Sequence, residues 1–269
     1  MICLNKITSF FFFLIVFPVS VHCQTEIKGG TLVLIYGDTS KVVVAADSRI
    51  LLNDSIPSKN NGCKIKVFGN NVVFVSTGLY SSTQGWDVFK IANDSYNPDS
   101  SIKSIVELFS YRALSQLSKF MIDIKNDTVM YNKYLHNPPV ESAWIGLHDN
   151  QLAVFWVSFQ PMLSEHASQA NSYSMEGWKS GWGRDLWLPL GIHGFIRSYV
   201  DGNSAKNFLQ TYGVVDGLTR LIQNDIGFFP NHVSEPIDVL IFNGNGVSWQ
   251  RKKNECKECE ICPDTLNKH

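Results

Sequence analysis

Short apolar runs arranged in pairs, each pair parted by a turn-forming cluster, set the pattern of this chain. Thr31–Tyr36 and Lys41–Ala46 flank Gly37-Asp38-Thr39-Ser40 and predict a β-hairpin buried on nearly both faces. Lys64–Phe68 and Val72–Val75 flank Gly69-Asn70-Asn71, and loops of Asn and Gly are hairpin chemistry. A second hairpin is therefore expected, in the same sheet as the first. Ala143–Gly146 and Gln151–Val157, parted by His148-Asp149-Asn150, predict a third, and Ile237–Phe242 with Val247–Trp249 a closing one. Between these, the apolar period changes from two to that of a helix over Ser81–Ala92, Ser101–Lys125 and Ser204–Asn224. In the second of these helices Ile105, Leu108, Phe109, Leu114, Leu117 and Met121 form one stripe, with Ser100 or Ser101 as cap. Residues 160–188, rich in Ser, Gly and Trp, read as a long loop or insertion. Strands, two helices, strands, helix, strands is the order of an α+β sandwich with helices outside its sheets, here one domain over residues 31–249.

Charge narrows the function. With 23 Lys+Arg against 24 Asp+Glu in 269 residues, the chain has no long-range field to hold a polyanion, so nucleic acid is not an expected partner. No Gly-rich phosphate loop supports nucleotide binding. Residues 1–23 hold Lys6, the apolar run Phe10–Phe17 and then Pro18, the layout of a signal peptide. The run is eight residues, short of the roughly 20 a membrane span requires. Export is therefore expected, with cleavage between Cys23 and Gln24 and a short extension over 24–30. Cys63, Cys256, Cys259 and Cys262 then remain, an even set that invites two disulfides whose pairing spacing cannot give. The Cys-x-x-Cys-x-x-Cys tail within 250–269 resembles part of a metal or iron–sulfur ligand set, but an exported chain tends to oxidise it. His166 and His193 lack metal-ligand spacing, so no metal and no cofactor is expected. Asn53, Asn93 and Asn126 head glycosylation triplets.

The segment Val42-Val43-Val44-Ala45-Ala46-Asp47-Ser48-Arg49, followed by Ile56-Pro57-Ser58, Cys63-Lys64-Ile65 and Thr77-Gly78, resembles the proteasome β-subunit family. The resemblance covers most of residues 29–95 and returns over Trp144–Val157 and Ser204–Trp249. It implies an N-terminal-nucleophile hydrolase with a four-layer αββα fold. In that family a propeptide is cut before a Thr, whose hydroxyl attacks amides while its own α-amine acts as base. An unperturbed α-amine of pKa about 7.7–8.0 suits that role near neutrality. By the resemblance, Asp47 is the orienting carboxylate, Lys64 the lysine, Gly78 the backbone donor to the oxyanion, and Asp225, after the last long helix, a further acid. Two registers are open for the nucleophile. Without a gap it is Thr31, which follows Gly29-Gly30. If Thr31 is instead the third residue of the first strand, Gly29 takes the catalytic place and there is no nucleophile. A shift of two keeps every side chain on its face, so alternation does not choose.

Taken singly these residues have plainer explanations. Thr31 is a β-branched strand residue, Asp47 and Arg49 pair across a turn, and Gly78 eases a tight junction. Together they point to an exported threonine-type amidohydrolase or peptidase acting on a peptide or small amide. The other reading is an inactive member of the fold used for binding. Family members pack in rings, which suggests a homo-oligomer unless the 160–188 segment and the Cys-rich tail block the contacts.

Overall fold

Alternate residues of the innermost strands serve two different cores. In β2 (Leu32–Gly37), Val33 and Ile35 face one way and Leu32 and Leu34 the other, all of them fully buried. β3 (Lys41–Ala46) repeats this with Val42, Val44 and Ala46 against Val43 and Ala45. Such runs are apolar on both faces because a layer covers each of them. The computed structural model describes residues 27–52, 56–58, 62–83, 85–136, 139–161, 171–191, 196, 203–253 and 256. The expected signal segment, Asn53, Cys259 and Cys262 lie outside these.

Two antiparallel sheets face each other. The larger contains β1 (Ile27–Gly30), β4 (Ile50–Leu52), β5 (Ile56–Pro57), β6 (Ile65–Phe68), β7 (Val72–Ser82), β8 (Val140–His148), β9 (Gln151–Pro161) and β10 (Asn171–Lys179). Its order is β10-β9-β8-β7-β1-β4-β5, with β6 also on β7. The smaller runs β11-β2-β3-β12-β13, adding β11 (Leu186–Gly191), β12 (Asp238–Asn243) and β13 (Gly246–Arg251). Ile65, Val67, Val73, Val75 and Ile145 of the larger sheet meet Val33, Ile35, Val44 and Leu240 of the smaller. Outside the larger sheet lie α1 (Val88–Ser95), α2 (Ile102–Asp123) and α3 (Thr128–His136), packed through Phe74, Phe109 and Trp144. Outside the smaller lie α4 (Asn203–Tyr212) and α5 (Val214–Phe228), packed through Leu209, Leu218 and Leu221. The fold is the expected α+β arrangement, four layers in the order αββα.

Several expected elements are corrected. The first two hairpins are in different sheets: β2–β3 belongs to the smaller and β6–β7 to the larger. Inward faces of two packed sheets are equally apolar, so patterning does not say which sheet a hairpin joins. Within 160–188, β10 pairs with β9 at nine positions, Asn171↔Pro161 to Lys179↔Ala153, and β11 pairs with β2. Both are edge strands, which explains their polar residues and the tolerated Pro189. Ser81 and Ser82 end β7 rather than beginning a helix; α1 starts later, where Asp87 accepts from the Lys90 N–H at 2.9 Å. Gly213, at φ +76°, divides the expected 204–224 helix in two. Among the described residues no helix is long and apolar enough to cross a membrane.

Candidate active site

Thr31 is the single residue between β1 and β2, where the chain leaves the larger sheet and enters the smaller. It is buried, and its carbonyl and hydroxyl sit where the layers meet. Asp47 follows β3 directly, and the antiparallel register Val33↔Ala46 brings it beside the start of β2. There the Leu32 N–H donates to Asp47 Oδ1 at 3.0 Å, and the Asp47 N–H donates back to the Leu32 carbonyl at 3.3 Å. Lys64 precedes β6, and its carbonyl accepts from the Ser76 N–H of β7 at 3.2 Å. From this position its side chain, fully buried, runs under Gly30, where an added Cβ would lie 3.3 Å from Lys64 Cε.

The three side chains converge. Thr31 Oγ1 donates to Asp47 at 3.0 Å from Oδ1 and 2.9 Å from Oδ2, while Lys64 Nζ donates to Thr31 Oγ1 at 3.1 Å and also to Asp47 Oδ1. Backbone N–H groups of Arg49 at 2.8 Å and Ser234 at 3.3 Å complete the donors around Asp47 Oδ2. An ion pair with both side chains fully buried is costly unless its remaining lone pairs are satisfied, and here they are. Burial pushes the Lys64 ammonium down to about 8, against the upward pull of Asp47; Lys253 also lowers it and Asp238 raises it. An amine with that affinity exchanges its proton near neutral pH, which an ordinary lysine does not. Of the two residues left open in the sequence, Thr31 has its hydroxyl beside Asp47 and Lys64, while Gly29 lies within β1, opposite Leu51 and Leu79.

Gly78 pairs with Gly30, next to the Gly30–Thr31 peptide bond. It has φ +78°, and a Cβ there would lie 2.3 Å from the Pro139 carbonyl oxygen, so the fold requires glycine whatever else the residue does. Asp225 is not where the sequence placed it. It lies inside α5 rather than after it, is buried, and is not one of the partners of Thr31, Asp47 or Lys64. Its carbonyl accepts from the Phe229 N–H at 2.7 Å, at the C-terminal end of α5.

Residues missed in the sequence also shape this place. Gly191, at φ +84°, lies so close that an added Cβ would come within 1.9 Å of the Thr31 carbonyl oxygen, and its N–H donates to Glu141 Oε2 at 2.7 Å. Gly191 ends β11 just past a segment that reads as loop, and no local signal marks it. Cys63, beside Lys64, forms a disulfide with Cys256, a pairing that the cysteine spacing left open. No group of three or more His, Cys, Asp or Glu among the described residues could hold a metal ion.

No protein-family model matches the chain, and no curated protein matches it. Solved structures do. The Anbu complex from Pseudomonas aeruginosa, a helical assembly, is 11% identical with a TM-score of 0.51, over 85% of this chain and 89% of that one. Anbu, an ancestral beta-subunit, from Yersinia bercovieri is 13% identical with a TM-score of 0.47, over 83% and 88%. Anbu from Hyphomicrobium sp. strain MC1 is 13% identical with a TM-score of 0.45, over 83% and 86%. At these identities the likeness is one of fold. It corrects the resemblance read from the sequence: the solved structure whose fold the chain shares is that of the Anbu complex, and no family model assigns the chain to the proteasome β subunits.

Proposed function

We propose that this chain is a threonine-type N-terminal-nucleophile amidohydrolase or peptidase, which cleaves its own Gly30–Thr31 bond and then acts through the freed Thr31. The observation that carries the reading is the Thr31 hydroxyl lying against both Asp47 and Lys64, with Gly30, the residue before it, paired opposite Gly78. Thr31 Oγ1 attacks the Gly30 carbonyl carbon and its proton passes to neutral Lys64. The Gly78 N–H is the donor for the oxyanion. The Gly30–Thr31 C–N bond then breaks, the Thr31 nitrogen takes up the proton, and water hydrolyses the resulting ester. The free α-amine becomes the base for later turnovers, with a usual pKa of about 7.7–8.0. β1, held between β4 and β7, marks the place of a substrate strand, so an extended peptide is the substrate class. Export belongs to the same proposal, because Cys63–Cys256 suits an oxidising compartment. So does self-association, as the Anbu complex from Pseudomonas aeruginosa forms a helical assembly.

The test is the intact mass and N-terminal sequence of the purified full chain. Wild type should begin at Thr31, Thr31→Ala should stay uncut, and Thr31→Ser should be cut in part, since Ser keeps the hydroxyl. A wild-type chain beginning at Gln24, identical in this respect to Thr31→Ala, would leave Thr31 a strand residue and the chain a non-catalytic binding protein.

Cleavage should also depend on pH with a defined sign. Neutral Lys64 is the proton acceptor, so the rate should rise from pH 6.5 to 9 with an apparent midpoint near 8, a value that belongs to the coupled Lys64–Asp47 pair. The folded chain releases this proton at about 8 and the unfolded chain near 10.5, so stability from this group is gained as pH rises through that window. A rate that falls across the same range would rule out Lys64 as acceptor.

A further inference from the structure

Beyond β13 the chain turns back onto the site. Lys253, buried, donates its backbone N–H to Asp238 Oδ1 at 2.8 Å, and its Nζ lies 2.8 Å from Asp238 Oδ2 and 2.7 Å from Ser48 Oγ. Ser48 follows Asp47 in the chain and also donates to the Pro236 carbonyl. Asp238 opens β12 opposite Ala46, the residue before Asp47. A few residues on, Cys256 is joined to Cys63, the residue before Lys64, with the two Cα atoms 5.5 Å apart. One short segment therefore grips the sequence neighbours of both charged members of the site. The charged groups acting on Lys64 are Asp47, Lys253 and Asp238. A buried ammonium–carboxylate pair is often no more stabilising than apolar residues of the same volume, so Lys253–Asp238 calls for a reason other than stability.

We propose that Lys253 is a positioning residue for the Thr31–Asp47–Lys64 group, and that the Cys63–Cys256 disulfide, by pinning its segment, makes reaction at Thr31 depend on the oxidised chain. This rests on the reading of Thr31 as nucleophile. Reduction by a dithiol breaks the Sγ–Sγ bond, passes two electrons and two protons to Cys63 and Cys256, and leaves the dithiol as its own disulfide. Lys253 then no longer lies three residues from a covalent link to Cys63. If Lys253 withdraws, Lys64 loses a repelling neighbour and faces an uncompensated Asp238; both changes strengthen its hold on its proton and reduce the neutral form at a given pH.

The experiment uses the full oxidised chain as wild type, Lys253→Met, Lys253→Arg and the double variant Lys253→Met/Asp238→Asn. It reads Gly30–Thr31 cleavage against pH by intact mass, and the Lys64 titration by NMR of labelled lysine in the uncut Thr31→Ala background. Lys253→Met should move the midpoint upward and slow cleavage at pH 7.5 by about tenfold for each unit moved. Lys253→Arg should keep most of the wild-type profile, and the double variant should return towards it. Dithiothreitol should reproduce the upward shift on wild type, and reoxidation should reverse it. A folded Lys253→Met chain with the wild-type midpoint, or a reduced wild type with unchanged rate and midpoint, overturns the proposal. Should Lys253→Met not fold, the dithiothreitol arm on folded wild type decides it. A Lys64 titration that moves in a chain that never cleaves would instead retire the Thr31 reading and leave the coupling of Lys253 to the site standing.

Discussion

Asp47→Ala should cost about 3–5 kcal/mol of stability and abolish cleavage at Gly30–Thr31. The change removes the carboxylate that sustains the proton of the fully buried Lys64, so the amine must lie unpaired or be deprotonated on folding, and it removes the acceptor of the Thr31 hydroxyl and of the Leu32, Arg49 and Ser234 N–H groups together. Lys64→Met should be milder for stability, because Asp47 keeps three backbone donors and the hydroxyl, yet equally damaging to cleavage. The double variant Asp47→Leu/Lys64→Met should be more stable than Asp47→Ala, since no uncompensated charge remains. Urea unfolding of the four chains measures this. An Asp47→Ala chain within about 1 kcal/mol of wild type would mean that water reaches Lys64 and the freed N–H groups in the variant.

Gly191→Ala is the second change expected to have a large effect, at a position with no side chain and no chemistry of its own. The added methyl would have to occupy space 1.9 Å from the Thr31 carbonyl oxygen and 3.0 Å from Thr77 Cβ, on a backbone with φ +84°. Gly183→Ala is the control: φ is +70° there, and nothing lies within 4 Å of the added carbon. Gly183→Ala should show only the left-handed penalty of about 1–2 kcal/mol, and Gly191→Ala that plus the cost of displacing Thr31, about 2–4 kcal/mol in all. Gly191→Ala should also slow cleavage, because the atom displaced belongs to the residue bearing the nucleophile. Equal losses at the two positions would show that β11 gives way without moving Thr31.

These two sites differ in how far they could be read from the chain. Asp47 lies at the end of an apolar strand, where a charged residue stands out, and its spacing from Thr31 along the β2–β3 hairpin is local, whereas Lys64 meets it across the two sheets. Gly191 approaches Thr31 only through the pairing of β11 with β2, and that pairing joins residues more than a hundred positions apart. Ser234, Lys253 and Cys256 share this character: each reaches the site by a long return of the chain, which no local pattern encodes. The fold shows the same division. β2, β3, β12 and α2 carry strong apolar periodicity and lie close to where it places them, whereas the edge strands β10 and β11 are half-exposed and pass for loop. The helix containing Asp225 runs on to Phe228, and a carboxylate on its buried face interrupts the apolar stripe there, so the pattern stops a turn early.

The place of β1 in the larger sheet sets a geometric filter. Among the described residues its neighbours β7 and β4 do not pair with each other, and β4 has β5 on its far side. Release of residues before Thr31 would open an interior gap rather than an outer edge. Two inter-strand steps make such a gap about 9.5 Å from backbone to backbone. A helix about 10–12 Å across with its side chains does not fit between those backbones, whereas one extended chain fits and finds hydrogen-bonding groups on both sides. A newly opened molecule would therefore sort encounters by conformation before side-chain identity mattered, admitting unfolded segments and termini and turning away folded surfaces. Its own severed strand, already in register, would be the first competitor for that gap.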